Sequence, residues 1–404
     1  MIIGIDASRA NRKNKTGTEW YSFYLIKSLA KIDFNNKYIL YLDKLPSPEL
    51  IKVIKNNQNF SYKILNWPIT SFWTLGRLSL EMLIKSPDIL FVPAHGIPLI
   101  HPKRTINTIH DVAFMSERNV YRSESPKAKT KLRRQILKVI IRLVTFGRYE
   151  GNSLDYLYWS TLFALRHASN IITVSNFTKE EILKYYPKVK GEKITVIHNG
   201  FPTEIFNDKI DKQKISETLN KYNLISPYYL YVGRLERKKN TSYLIEALSI
   251  LRSDHPEIKE KLVLIGNASY GYDEVKYAIE EFDLSHEVLM PGWVEEADLP
   301  NIFKGASAFI FPTRHEGFGI PVLQALACDV PTTVSDLPVL HEVASDAVLY
   351  FDQNDKYAMA VAMAKIVLDK DLRRKLITNG REQVKKFSWL NCAKETLAVM
   401  EKRF

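Results

Sequence analysis

In "RHEGFGIPVLQALACDVP", Arg314 to Pro331, a carboxylate, two glycines and an aromatic stand directly before an apolar run that scans as a helix. A helix start offers amide N–H groups that no intrahelical bond uses, and the positive end of the helix dipole. Such a start, with Glu316 beside it and Gly317, Phe318 and Gly319 letting backbone come close, suits phosphate or another anion. A tight turn with a solvated acid is the plainer reading of the same residues. In "YVGRLERKKN", Gly233 and Arg234 end a strand, and Lys238 and Lys239 precede a helix opening near Asn240. A forked guanidinium and an ammonium next to a helix start make a site for a diphosphate. His110 in "TIHDV" closes a third strand and could serve as a polar contact or as part of the packing.

Metal chemistry finds little support in the chain. The 9 histidines are scattered, no DxD-like acid pair is placed to hold a cation against a diphosphate, and "DQND" after a strand reads as a turn. We expect no metal and no resident cofactor, with Arg234 and Lys239 neutralising charge instead. Cys328 and Cys392 lie far apart and suggest a reducing compartment.

These residues need rigid elements to hold them. Short β-branched or aromatic runs alternate with amphipathic stretches: "IIGIDA", "YILYL", "DILFVPA", "RTINTIHDV", "NIITVS" and "KITVIHNG", then "PYYLYVGRL", "KLVLIG", "EVLMPGWV", "AFIFPT", "VPTTVS" and "AVLYFD". Apolar strands alternating with helices predict parallel sheets covered on both faces. Two such series in 404 residues predict an α/β protein of two doubly wound, Rossmann-like domains facing across a cleft. The expected divisions are 1–203, 204–385, and a closing helix over 386–404 that packs back on the first domain.

Lys and Arg outnumber Asp and Glu by 57 to 45, a formal charge of +12, which favours anionic partners in general. The aromatic signatures of RNA-binding modules are absent, so nucleic acid is not an expected partner. The excess concentrates in 121–148, where nine Lys or Arg accompany a single acid, Glu124. At helical spacing Lys127, Lys131, Arg134, Lys138 and Arg142 share one face opposite Leu132, Ile136, Val139, Ile140 and Leu143. Such a face fits an anionic membrane surface or acceptor, or an ordinary surface helix. No secretory signal and no run of roughly 18 apolar residues is visible, so a cytoplasmic protein, with the inner face of the cell membrane as its peripheral station, is the expectation.

Taken in order, "TGTEWYSFYLIKSLA", "TIHDVAF", "ITVSNFTKEEIL", "YVGRLERKKN", "GWV" and "PTRHEGFGIPVLQALACDVPTTVS" resemble the retaining glycosyltransferases of family 4, the group 1 glycosyltransferases with the GT-B fold. The resemblance implies that Arg234 and Lys239 hold the diphosphate of a nucleotide-sugar donor and that Glu316 meets the hydroxyls of its sugar. It implies that the amides of Gly317, Phe318 and Gly319 meet sugar and phosphate, that backbone at Val294 meets the base, and that Gly233 lets the chain approach. From the first domain it brings Gly17 in "KTGTEW" to the donor phosphate and acceptor, and His110 to the donor sugar. Family members usually carry a second acid eight positions after the first, directed at the ribose. Here that position is Gln324. A carboxamide offers one accepting oxygen and an NH₂ where a carboxylate accepts twice, so a ribose contact there is weakened, by about 1 kcal/mol.

The implied activity is retaining, metal-independent transfer of a hexose such as mannose or glucose to a hydroxyl of a glycan or lipid-linked acceptor, as in bacterial surface polysaccharide assembly. Two alternatives stay open on sequence: a nucleotide-sugar epimerase of the same architecture, and a non-catalytic binder of anionic ligands.

Overall fold

The structure, a computed structural model, describes residues 1–68, 72–116, 153–209 and 211–402. The basic face of Lys127, Lys131, Arg134, Lys138 and Arg142 falls outside the described residues. By its internal contacts the chain divides into Met1–Gly200 with Trp389–Phe404, and Phe201–Ser388.

The first unit is built on a parallel sheet of β1 (Ile2–Asp6), β2 (Lys37–Leu42), β3 (Phe60–Ile64), β4 (Ile89–Val92), β5 (Thr105–Ile109), β6 (Asn170–Thr173) and β7 (Ile194–Val196), in the order β3-β2-β1-β4-β5-β6-β7. Ile3, Ile5, Ile89, Leu90 and Val92 are fully buried, which is why β1 and β4 read as continuous apolar runs and not as alternating ones. The strand "FSYKI" escapes that reading because it is an edge strand paired with β2 alone, and its Ser61, Tyr62 and Lys63 face solvent. The chain runs outward from β1 to β2 and β3, then restarts at β4 on the other side of β1. The β1/β4 boundary is therefore the place where open α/β sheets leave a crevice at their carboxyl ends.

The helix Gly17–Ile32 follows β1. Thr16 and Glu19 close its start as a capping box, each side chain serving the other's backbone N–H. The closing helix Trp389–Glu401 packs on it, with Trp389 stacked on Tyr24 at 5.7 Å between ring centroids. Among the described residues no helix is long and apolar enough to cross a membrane.

The second unit repeats the plan with β8 (Tyr228–Val232), β9 (Lys261–Ile265), β10 (Val288–Gly292), β11 (Ala308–Phe311), β12 (Thr332–Ser335) and β13 (Leu349–Phe351), ordered β10-β9-β8-β11-β12-β13 and parallel throughout. Here the switch of direction falls between β8 and β11. Tyr228, Tyr229 and Tyr231 are fully buried in β8, and each hydroxyl finds a carbonyl: Ile302 at 2.6 Å, Met363 at 2.9 Å and Arg234 at 2.9 Å. A buried phenol without such an acceptor would destabilise the core by about 1–3 kcal/mol. The third of these bonds also fastens the loop that leaves β8.

Candidate functional site

Two loops leave the adjacent strands β8 and β11, and they are laced together. The first, Gly233 to Asn240, is held on one side by the loop after β9. Gly266, at φ +144°, sits so close that a Cβ there would fall 1.9 Å from the Gly233 carbonyl oxygen. Only glycine permits that approach. Leu235 N–H donates to Asn267 O at 3.0 Å, Ser269 N–H to Leu235 O at 3.0 Å, and Arg237 N–H to Tyr270 O at 2.9 Å. On the other side lies the loop after β11, where Arg314 N–H donates to Lys238 O at 2.9 Å and the Thr313 hydroxyl to the same oxygen at 3.3 Å.

Between these stitches the Lys239 ammonium donates to the Glu316 carboxylate, and the pair is largely shielded, with side-chain exposures of 13% and 19%. Lys239 also lies over the Phe311 ring at 5.3 Å. Two residues 77 positions apart in the chain thus meet at the carboxyl ends of neighbouring strands. Arg234 stands at the start of the same loop with 53% of its side chain exposed, and its guanidinium reaches the more buried Glu236 at 3.5 Å. Glu236 also takes Lys238, at 3.7 Å. Sequence reasoning missed Glu236, which tempers the positive charge of the loop, and it missed Gly266. The Gly that directly follows "KLVLI" was the available signal for the latter, since a glycine leaving a strand marks a close backbone approach.

The acid loop runs into the helix Ile320–Ala327. Gly319, at φ +98°, supplies the left-handed turn before it, and Pro321 fills its first turn without contributing an N–H. Phe318 is buried edge-on against Phe387, ring centroids 5.6 Å apart, which fixes the backbone between Gly317 and Gly319. Gln324 lies on this helix and is 8% exposed. At the end of β10, Gly292 has φ +80° with nothing within 4 Å of where a Cβ would lie, Trp293 is partly exposed and Val294 is buried. The Gly292 carbonyl accepts from Gly266 N–H at 3.1 Å, which ties this turn to the loop after β9.

In the first unit the loop after β1 begins at Asp6. Its buried carboxylate accepts from Ser8 N–H at 3.1 Å, Ser8 Oγ at 2.6 Å and Thr74 Oγ1 at 2.8 Å, and burial pushes its pKa upward against those bonds. The loop ends at Gly17, the first residue of its helix, where a Cβ would meet nothing within 4 Å. Lys15 turns away beneath it: its ammonium reaches Glu49 at 2.6 Å and lies over Trp20 at 5.0 Å, with 2% of the side chain exposed.

His110, immediately after β5, is tied to that same helix. The Tyr21 ring meets it edge-on at 4.7 Å, and the Tyr21 hydroxyl bonds Thr108 Oγ1 at 3.0 Å. His110 Nε2 lies 3.1 Å from the Pro93 carbonyl, which can only accept, so the neutral ring carries its proton on Nε2 and leaves the Nδ1 lone pair. Burial, aided by His95, lowers the His110 pKa to about 4, so the ring is an uncharged acceptor at neutral pH. His95 bonds Asp111 O at 2.6 Å, and the buried Asn107 amide holds the carbonyls of Ala94 and His95 at 3.3 and 3.2 Å. The loops after β4 and β5 are cross-braced in this way.

The predicted residues therefore fall into two sets. Arg234, Lys239, Glu316, Gly317, Phe318, Gly319 and Gln324 belong to the second unit, where the structure pairs Lys239 with Glu316. Gly17 and His110 belong to the first, joined through Tyr21. Among the described residues no group of three or more His, Cys, Asp or Glu could hold a metal ion.

The glycosyltransferase family 4 model matches residues 16–205 and the glycosyl transferases group 1 model matches residues 211–383. The O-antigen chain mannosyltransferase B of Escherichia coli is 28% identical over 329 residues, covering 80% of this chain and 82% of its own. The O-antigen chain mannosyltransferase RfbU of Salmonella typhimurium is 26% identical over 381 residues, covering 91% and 90%. Among solved structures, the Anabaena protein HepE in complex with UDP and glucose is similar with a TM-score of 0.69 and 15% identity, covering 100% of this chain and 99% of that one. Two parallel Rossmann-like sheets, the loops at their switch points and two family models that between them span both units make this chain a member of the family 4, group 1, glycosyltransferases of the GT-B fold.

Proposed function

We propose that this glycosyltransferase takes a hexose, mannose in the first instance, from a nucleotide-diphosphate sugar and places it on a hydroxyl of a bacterial surface glycan or its lipid-linked precursor, with retention of configuration. The mannosyl group and the surface glycan are supported by the activities named for the two O-antigen relatives. The observation that carries the donor site is the meeting of Lys239 and Glu316 where β8 and β11 end side by side. A cation for phosphate and an acid for sugar hydroxyls are already held at contact distance, so binding a sugar phosphate exchanges one ion pair for charge-assisted bonds to both ends of the ligand.

Arg234, half-exposed and only loosely engaged by Glu236, is the second cation for the diphosphate. On a front-face route the bond from the anomeric carbon to the phosphate oxygen breaks, the acceptor hydroxyl attacks from the same face, and the departing phosphate oxygen takes its proton. The protein then needs no nucleophile; it orients the reactants and stabilises charge on the leaving diphosphate through Arg234, Lys239 and the amides around Gly319. His110, uncharged and with Nδ1 as acceptor, suits a sugar hydroxyl and is poorly suited to proton transfer at neutral pH. Gln324 would take the ribose and backbone at Val294 the base. Neither step requires a metal, and turnover should persist in excess chelator. The residues Lys127, Lys131, Arg134, Lys138 and Arg142 are proposed to meet anionic lipid; flotation with anionic vesicles should fall when Lys131, Arg134 and Lys138 are changed to Glu.

Thermal unfolding against UDP, GDP, ADP, CDP and their common sugar conjugates tests the donor site. A ligand at a hundred times its Kd adds about 2.7 kcal/mol, a rise of a few degrees for a chain of this size. A rise with one base, lost in Arg234→Ala, is the expected result. No response to any of them from a folded protein would overturn the reading.

A further inference from the structure

Lys239 and Glu316 are held in place by neighbours that touch neither charge. Asn240, directly after Lys239, is 2% exposed and adopts the left-handed conformation at φ 59°. Its side chain bonds in two directions. The Nδ2 group donates to Gln353 O at 2.8 Å, and Oδ1 accepts from Arg314 Nε at 2.9 Å. Arg314 lies two positions before Glu316, its guanidinium stacked over the Tyr243 ring at 4.9 Å and its own N–H bonded to Lys238 O at 2.9 Å. The residues on both sides of Lys239 are thus bonded to Arg314, and Asn240 anchors the assembly to the segment that opens the helix Lys356–Leu368.

We infer that Asn240 and Arg314 form a clamp whose work is to hold the Lys239 ammonium and the Glu316 carboxylate in one geometry, so that a sugar diphosphate meets an ordered site. They are positioning residues, and the inference rests on the donor-site reading above. A long lysine side chain and a glutamate on two separate loops would otherwise have to be ordered by the ligand, which weakens binding for each side chain immobilised. A surface arginine that only decorated the loop would have no reason to give Nε to a buried asparagine while its flat face is packed on tyrosine.

The left-handed φ at Asn240 allows a clean test. Asn240→Gly keeps that backbone conformation without strain and removes both side-chain bonds, whereas alanine there would confound the two effects. Arg314→Leu removes the same bridge from its other end. Binding of inorganic pyrophosphate, a probe that does not depend on the base or the sugar, would be measured by titration calorimetry in the wild type, Asn240→Gly, Arg314→Leu, Lys239→Ala and the double variant Asn240→Gly/Lys239→Ala.

The clamp predicts that Asn240→Gly and Arg314→Leu each weaken pyrophosphate about three- to tenfold. It also predicts that Asn240→Gly adds no further loss once Lys239 is gone, because what it positioned is absent. If Asn240→Gly weakens binding as much in the Lys239→Ala background as in the wild type, or not at all in the wild type, the clamp is wrong and the donor site stands. If Lys239→Ala binds pyrophosphate as well as the wild type does, the donor site itself is wrong. Circular dichroism and the unfolding midpoint of each variant separate either result from misfolding.

Discussion

After β8 and β11 the second unit presents Arg234, Lys238 and Lys239 with Glu236 and Glu316, all on two stitched loops. After β1, β4 and β5 the first unit presents a bare glycine and two imidazoles braced on carbonyls, while three cations of its glycine loop are paired with acids: Arg9 with Glu19, Arg12 with Asp43, Lys15 with Glu49. The same doubly wound plan therefore carries a laced cluster of cations and acids after β8 and β11 in one unit and a neutral, buried imidazole after β5 in the other. On the proposed function that division fits what the two ends of the donor would need. A leaving diphosphate gains charge as the bond breaks and calls for fixed cations, whereas a hydroxyl calls for an acceptor that does not itself ionise.

The strongest way to break the comparison is to remove one side chain from each set. Arg234→Ala and Glu316→Ala should each lower turnover of the sugar nucleotide by about 10²–10³-fold, the range for losing one preorganised electrostatic contact. His110→Gln keeps a neutral polar group at its position and should cost about tenfold or less, within the range of one neutral hydrogen bond. Equal losses in Arg234→Ala and His110→Gln would mean that the first unit stabilises charge after all.

A second test uses acid. Folded His110 is held at about 4 against an ordinary value of 6.5. As pH falls the unfolded chain takes this proton first, so the stability contributed by the neutral ring is complete above about 6.5 and is lost between there and about 4. His110 is half-buried, and solvent tempers the penalty to on the order of 1–2 kcal/mol. His110→Gln should flatten that portion of the curve of unfolding midpoint against pH. A variant curve that still falls as steeply would show that the ring does not stay neutral.

Much of this was legible before any coordinates. Twelve of the strands announce themselves as short runs rich in apolar and β-branched residues, and the edge strand Phe60–Ile64 hides because solvent lets Ser61, Tyr62 and Lys63 replace that signal. Arg234, Lys239 and Glu316 were readable because glycines and helix starts flank them. Their partners were not. Glu236 looks like any loop acid, and Arg314 and Asn240 become a pair only through the parallel contact of β8 with β11, which brings positions 74 apart to 2.9 Å. The neutral state of His110 was likewise invisible, since it depends on the carbonyl of Pro93 and on burial by elements distant in sequence.

The smallest expected effect concerns Gln324, where the family resemblance leads one to expect an acid. Gln324 is 8% exposed on the helix that follows the glycine turn. If it faces the ribose of the bound donor, Gln324→Glu replaces one accepting oxygen by two and adds charge assistance, worth about 1 kcal/mol or roughly fivefold tighter nucleotide binding. The same change buries a carboxylate in the free protein, where desolvation raises its pKa and lowers the unfolding midpoint. The two effects have opposite signs in the two states, so they separate in one experiment: the free variant should melt lower than the wild type, and the rise on adding nucleotide should be larger. A lower midpoint with an unchanged rise would mean that position 324 never meets the ribose and that the glutamine is there for packing alone.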